Sequence, residues 1–151
     1  MVVLGIDPGT AHTGYGVVAR RGGRLVALDG GVIVTAARAP AEARLALIHE
    51  RVGALADAHA PDALAVEDLY FGANARSAFA VGQARGVVLL AAGQRGLPCF
   101  SYTPQQVKGA VCGSGRAGMS VSASSAWTMR WTCPLPARPE PQTAPLTCWG
   151  V

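Results

Sequence analysis

The strongest constraint on the fold lies at the amino terminus, in the stretch VVLGIDPGT. Val2, Val3, Leu4 and Ile6 make an apolar run with no alternation to mark a wet face, which predicts a strand buried on both sides, Val2–Asp7. Pro8-Gly9 then forces a turn, and a second apolar run starts at Tyr15. Asp7 is thereby left at the carboxyl end of an interior strand. A lone carboxylate in that position costs free energy unless a cation meets it or a turn caps it.

Further strands are predicted over Gly14–Ala19 and Leu25–Thr35, with Gly22-Gly23 as the hairpin turn between them. A helix is expected from Pro40 to His59, because Leu45, Ile48, Val52 and Leu55 recur at spacings of 3, 4 and 3 along one face. A short buried strand, Ala63–Val66, follows and ends in Glu67. A second long helix, Asn74 to Gln94, turns strongly apolar in VVLLAA. LPCFSY reads as a strand. TPQQVKGAV reads as a helix, with Thr103 at the N-cap, Pro104 in the first turn and Gln106 completing a capping box. This order predicts an α/β fold, a mixed five-stranded sheet with helices on both faces.

If the first strand and Ala63–Val66 are parallel neighbours, Asp7 and Glu67 emerge together at their carboxyl ends, the edge where open α/β sheets place ligands. Two carboxylates there repel unless a cation sits between them, and hard oxygen donors suit Mg²⁺ or Mn²⁺. The residues alone leave a second reading open, in which Asp7 caps its own turn and Glu67 forms a surface ion pair.

Composition sets the outer bounds. A chain of 151 residues is read as one domain with a sizeable core. No stretch approaches a membrane span, and the amino terminus lacks a signal-peptide pattern. Cys99, Cys112, Cys133 and Cys148 include no C-x-x-C, so neither a disulfide framework nor a zinc ligand set is expected, and a reducing, cytoplasmic location is. The formal charge of +4 suits a polyanionic partner but is shared by many ordinary proteins.

Three segments, GIDPGTAHTGYGV, AVEDLYFGANARSAFAVGQARGVV and PQQVKGAVCGSGRAG, resemble the RuvC family of Holliday-junction resolvases, whose fold is ribonuclease H-like. The resemblance runs from Met1 to about Gly118, giving a resolvase domain over 1–118. It implies a homodimeric, Mg²⁺-dependent endonuclease, with Mn²⁺ as a substitute ion and two ions per site, which nicks a four-way DNA junction symmetrically in recombination and repair. It also implies association with a branch-migration helicase complex and no membrane partner. Asp7 and Glu67 match the family's first two metal-binding carboxylates, Tyr70 an aromatic position near the junction's opened bases, and Lys108 a basic residue close to the active site. On this resemblance the catalytic residues are Asp7, Glu67 and Lys108, and the DNA-binding residues are Tyr70, Asn74, Arg76 and Lys108. Without it, Tyr70 and Phe71 cover the sheet's end, Asn74 caps a helix, and Arg76 and Arg85 are solvated helix positions. His12, His49 and His59 have no partner pattern and receive no role.

Two rivals share part of the pattern. DPGTAHTG also resembles the phosphate loop of actin-like and sugar-kinase ATPases, which need a second such domain. A relative of the same fold acting on ribosomal RNA precursors would lack LYFGANARSAFAVGQARG, which is present. A third possibility, a junction-binding protein without catalysis, arises from the carboxyl terminus.

Residues 119–151 hold Trp127, Trp131 and Trp149, five prolines, clustered serines and Glu140 as the sole acid, with no helical apolar spacing. The family pattern calls here for a helix carrying two more carboxylates, aspartate–two residues–aspartate, and for a second lysine near Met119. Neither is present. The segment is read as a frame-shifted replacement of the last catalytic helix. Reading QTAPLTCWG from each third base permits aspartate-x-alanine-alanine-aspartate, then an aliphatic residue, leucine and glycine.

Overall fold

The computed structural model describes residues 1–68 and 75–112. Eight elements follow in order: β1 (Val2–Asp7), β2 (His12–Arg21), β3 (Arg24–Val34), α1 (Ala41–His59), β4 (Ala63–Glu67), α2 (Ala75–Gly93), β5 (Cys99–Tyr102) and α3 (Pro104–Cys112). The strands form one five-stranded sheet in the order β3-β2-β1-β4-β5. β1–β2 and β2–β3 pair antiparallel, whereas β1–β4 and β4–β5 pair parallel, so the mixed sheet expected from the element order is the one observed.

β2 extends past its expected limits at both ends, to His12 and Arg21, whereas β3 is shifted by one residue, starting at Arg24 and ending at Val34. Gly22 and Gly23 take φ values of 55° and 77°, a left-handed turn that carries the ladder out to Arg21 and Arg24. At the other end the Thr35 N–H donates to the Ala11 carbonyl at 3.0 Å. Ladder hydrogen bonds thus recruit polar residues that periodicity cannot assign. A bulge pairs Val17 with Asp29 and Val18 with Ala27, leaving Leu28 as the extra residue.

The core lies on one face of the sheet. Leu4, Ile6, Val17, Ile33, Leu64 and Val66 pack there against Ile48, Val52 and Ala56 of α1 and Ala84, Val88, Ala91 and Ala92 of α2. Leu4, Ile48, Leu64 and Val88 are fully buried. Each buried aliphatic side chain of this kind contributes about 1.5–3 kcal/mol. Ala63 and Ala65 alternate to the opposite face and are buried as well, so β4 is covered on both sides, as its unbroken apolar run predicts.

α1 begins after Pro40 without a side-chain cap and ends at Ala60, whose left-handed φ of 42° directs its N–H to the Ala56 carbonyl. α3 starts with the expected capping box. Gln106 Oε1 accepts from the Thr103 N–H at 2.8 Å, and the Gln106 N–H donates to Thr103 Oγ1 at 3.3 Å. No helix among the described residues is long and apolar enough to cross a membrane.

Candidate metal centre at the carboxyl edge of the sheet

β1 and β4 are paired in register through Ile6 and Val66. The residue after each is an acid, Asp7 and Glu67. Ile6 and Val66 point into the core, so alternation sends Asp7 and Glu67 together to the opposite face, on strands about 4.8 Å apart. The sheet's register therefore brings two carboxylates side by side at its carboxyl edge. Across the ladder from Asp7 stands Gly14, which lacks a side chain to cover the carboxylate.

The turn after Asp7 is held by other residues. Thr13, fully buried, donates its hydroxyl to the Gly9 carbonyl at 2.7 Å and receives the Gly9 N–H at 3.4 Å. A Cβ on Gly9 would collide with the His12 carbonyl oxygen, so the turn needs glycine there. One residue on, Thr35 donates its hydroxyl to the Thr10 carbonyl at 2.6 Å and accepts from Arg44 Nε of α1 at 2.9 Å. Asp7 thus does not cap its turn. Its carboxylate has no hydrogen bond or ion pair among the described residues, and desolvation pushes its pKa above the ordinary carboxylate value although the residue is exposed. An unpaired, partly desolvated carboxylate beside a second one is a donor set that fits a hard divalent cation. Among the described residues no group of three or more His, Cys, Asp or Glu side chains gathers in a metal-binding arrangement.

The other residues singled out in the sequence are distributed as follows. Lys108 falls in α3, the helix that leaves the carboxyl end of β5, and Arg76 falls in the first turn of α2. Tyr70 and Asn74 lie outside the described residues, as does everything from 113 to 151.

Arg85 is not the solvated position its sequence context suggests. It is 21% exposed, and its Nη2 donates to Asp68 Oδ1 at 2.8 Å and to Ser101 Oγ at 2.7 Å. Thr13, Thr35 and Arg44 likewise carry no signal as site residues in the sequence. Their partners lie on other turns or strands, and nothing in their own segments announces them.

A family model described as "Crossover junction endodeoxyribonuclease RuvC" matches residues 3–144. A curated protein of that name from Pelotomaculum thermopropionicum is 48% identical over 118 residues, covering 78% of this chain and 72% of the relative. Another, from Thermomicrobium roseum, is 46% identical over 144 residues, covering 95% and 86%. Among solved structures, Thermus thermophilus RuvC superposes with a TM-score of 0.70 at 43% identity, over 78% of this chain and 73% of that one. T. thermophilus RuvC in complex with Holliday junction substrate gives a TM-score of 0.69 at 43% identity, over 74% and 71%. With a family model spanning nearly its whole length and relatives close to half identical, this chain belongs to the RuvC family.

Proposed function

We propose that this chain is a crossover junction endodeoxyribonuclease, hydrolysing phosphodiester bonds in four-way DNA junctions, with Asp7 and Glu67 as its first two metal-holding carboxylates. The observation that carries the reading is their emergence on one face of adjacent parallel strands, at the edge where such sheets bind ligands. Asp7 and Glu67 would supply the oxygen donors for a Mg²⁺, or a Mn²⁺ in its place, which when bound would contribute Lewis-acid stabilisation of the phosphate and activation of a water near neutral pH. The Thr13 and Thr35 hydrogen bonds hold the turn that aims Asp7. Lys108 is assigned to the charge that builds on the phosphate. Tyr70 is assigned to stacking on an unpaired base, an interaction worth about 1–3 kcal/mol, and Asn74 and Arg76 to DNA contacts beside it.

A homodimer matches the two-fold symmetry of a junction. The surface of α2 supports it: Phe79 and Leu90 are 70% and 54% exposed, and Phe79, Gln83, Gly86, Leu90 and Gly93 recur at helical spacing along one stripe. Among the described residues, nothing beyond the helix's own backbone lies within 4 Å of where a Cβ on Gly86 or Gly93 would sit, which lets a second helix approach closely. A branch-migration helicase as partner and a cytoplasmic location complete the reading.

The second reading, a junction binder with impaired cleavage, rests on the two carboxylates absent from the sequence after Gly118. We assign residues 119–151 to a frame-shifted replacement of the last catalytic helix, on the compositional break. That assignment must accommodate the family match reaching residue 144. The shifted reading also separates its aspartates by three residues, one more than the family pattern, so only one of them can take a family position. Sequencing the gene across the codons for residues 112–124 decides it: an uninterrupted frame removes the assignment.

The functional test compares cleavage of a synthetic four-way junction, linear duplex and RNA by the 151-residue chain and by a frame-corrected chain, with Mg²⁺. Selective nicking of the junction by the corrected chain, and weak or no nicking by the other, is expected. Equal rates would overturn the impaired reading. Cleavage of RNA in preference to the junction would overturn the resolvase reading.

A further inference from the structure

We infer that Arg85 is a positioning residue for the metal centre, acting through Asp68 and Ser101 from the helix side of the sheet. The inference rests on the Asp7–Glu67 reading and extends it to a residue that touches neither carboxylate.

Glu67 and Asp68 are consecutive, so the alternation that aims Glu67 at Asp7 sends Asp68 to the face covered by α2. There Arg85 Nη2 meets Asp68 Oδ1 at 2.8 Å. The same nitrogen meets Ser101 Oγ of β5 at 2.7 Å, and Ser101 has the same facing because its ladder partner is Val66. The Asp68 N–H also donates to the Tyr102 carbonyl at 2.8 Å, carrying the β4–β5 ladder one step past Glu67. One guanidinium thus ties together the ends of two parallel strands, directly behind Glu67. Rotation of the β4 end, which would swing Glu67 away from Asp7, requires breaking that tie.

The pairing has a second consequence. Asp7, Glu67 and Asp68 place three acids at one edge of the sheet, and a mobile Asp68 would compete with Glu67 for a cation. Bound to Arg85, Asp68 is neutralised and kept on the far face. The arrangement has a cost, since Arg85 Nε is buried with no hydrogen-bond partner among the described residues. A buried donor left without a partner is unfavourable, because it loses its hydrogen bond to water and gains none in return. Departures from local rules of this kind are found at functional sites.

The test uses the 151-residue chain and measures Mn²⁺ binding by electron paramagnetic resonance titration, with thermal stability and metal-free junction affinity recorded alongside. Arg85→Gln is expected to weaken Mn²⁺ binding roughly tenfold or more, the usual effect of removing a partner that orients a metal ligand, with junction affinity within about twofold. Arg85→Lys, which keeps a single donor nitrogen and the charge but loses the planar fork, should recover part of the loss. Asp68→Asn and Ser101→Ala are milder changes that keep the test open if Arg85→Gln fails to fold, and each should weaken Mn²⁺ binding in the same direction. Glu67→Gln serves as the reference. If it weakens Mn²⁺ binding while the Arg85, Asp68 and Ser101 variants lower only the melting temperature, Arg85 is structural and the inference fails. If Glu67→Gln leaves Mn²⁺ binding unchanged, the carboxylate reading fails and takes this inference with it.

Discussion

Thr13 and Gly9 exchange two hydrogen bonds across the turn that follows Asp7, with the threonine hydroxyl donating at 2.7 Å and accepting at 3.4 Å. The hydroxyl is fully buried, so nothing replaces it when it is lost. Thr13→Val keeps the shape and removes both bonds, leaving the Gly9 carbonyl unsatisfied. We expect a loss of about 1–3 kcal/mol in denaturant unfolding and slower junction nicking by the frame-corrected chain. Thr13→Ser, which retains the hydroxyl, should lose less than half as much. Equal losses would show that the methyl group, not the hydroxyl, holds the turn.

Asp7→Asn separates catalysis from folding. The carboxylate has no partner among the described residues and is partly desolvated, so removing its charge breaks no contact and lifts a modest desolvation cost. Nicking by the frame-corrected chain should fall by more than about 100-fold, the scale of losing a directly acting electrostatic group. The melting temperature in EDTA should stay the same or rise. A clear drop in stability would mean that Asp7 is a structural residue.

Arg95 and Asp57 join the end of α2 to α1, with Nε–Oδ1 at 2.7 Å and Nη2–Oδ2 at 2.8 Å. The Arg95 hydrogen bond holds the Asp57 carboxyl below its ordinary value, with charge attraction adding to it. A depressed folded-state pKa contributes stability that is present above the unfolded value and lost as pH falls through the folded one. Acid titration of stability below about pH 4 should therefore flatten in Arg95→Gln, by a small amount because Asp57 is exposed.

Gly53 lies under the same guanidinium, with Arg95 Nη2 2.6 Å from where its Cβ would be. Gly53→Ala should be close to neutral in the native background, because the displaced arginine offsets the gain in helix propensity. In an Arg95→Ala background the same change should stabilise by about 1 kcal/mol. Identical effects in both backgrounds would show that Arg95 yields freely.

Leu90→Glu introduces a charge into the exposed stripe of α2 without entering the core. Light scattering at micromolar concentration should change from a dimer to a monomer, with the melting temperature falling only through loss of association. An unchanged mass would place the dimer seam elsewhere. A native chain that is already monomeric would remove the homodimer from the proposal.

Junction binding should be strongly salt-dependent, since each neutralised phosphate releases counterions. With as few as about four phosphate contacts, affinity falls ~100-fold between 50 and 200 mM salt. A flat response in a filter-binding titration would argue against backbone contacts as the main source of affinity.

What the sequence determined by itself is the local part of this protein. The apolar runs of β1 and β4, each ending in an acid, the Gly22-Gly23 turn and the Thr103–Gln106 capping box follow from chain periodicity and turn chemistry. Each needs only neighbours within a few residues. The bounds of β2 and β3 were less legible, because ladder hydrogen bonds from a partner strand extend them into Arg20, Arg21 and Arg24. Two decisions belonged to the tertiary structure alone. One is register: Ile6 meets Val66 because both pack on α1 and α2, and a slip of one residue would put Glu67 on the core face. The other is the pairing of Arg85 with Asp68 and Ser101, residues 17 and 16 positions away. Each looks solvated in its own segment. A side chain's partner is set by which elements the hydrophobic core brings together, and that information is spread over the whole chain rather than written beside the residue.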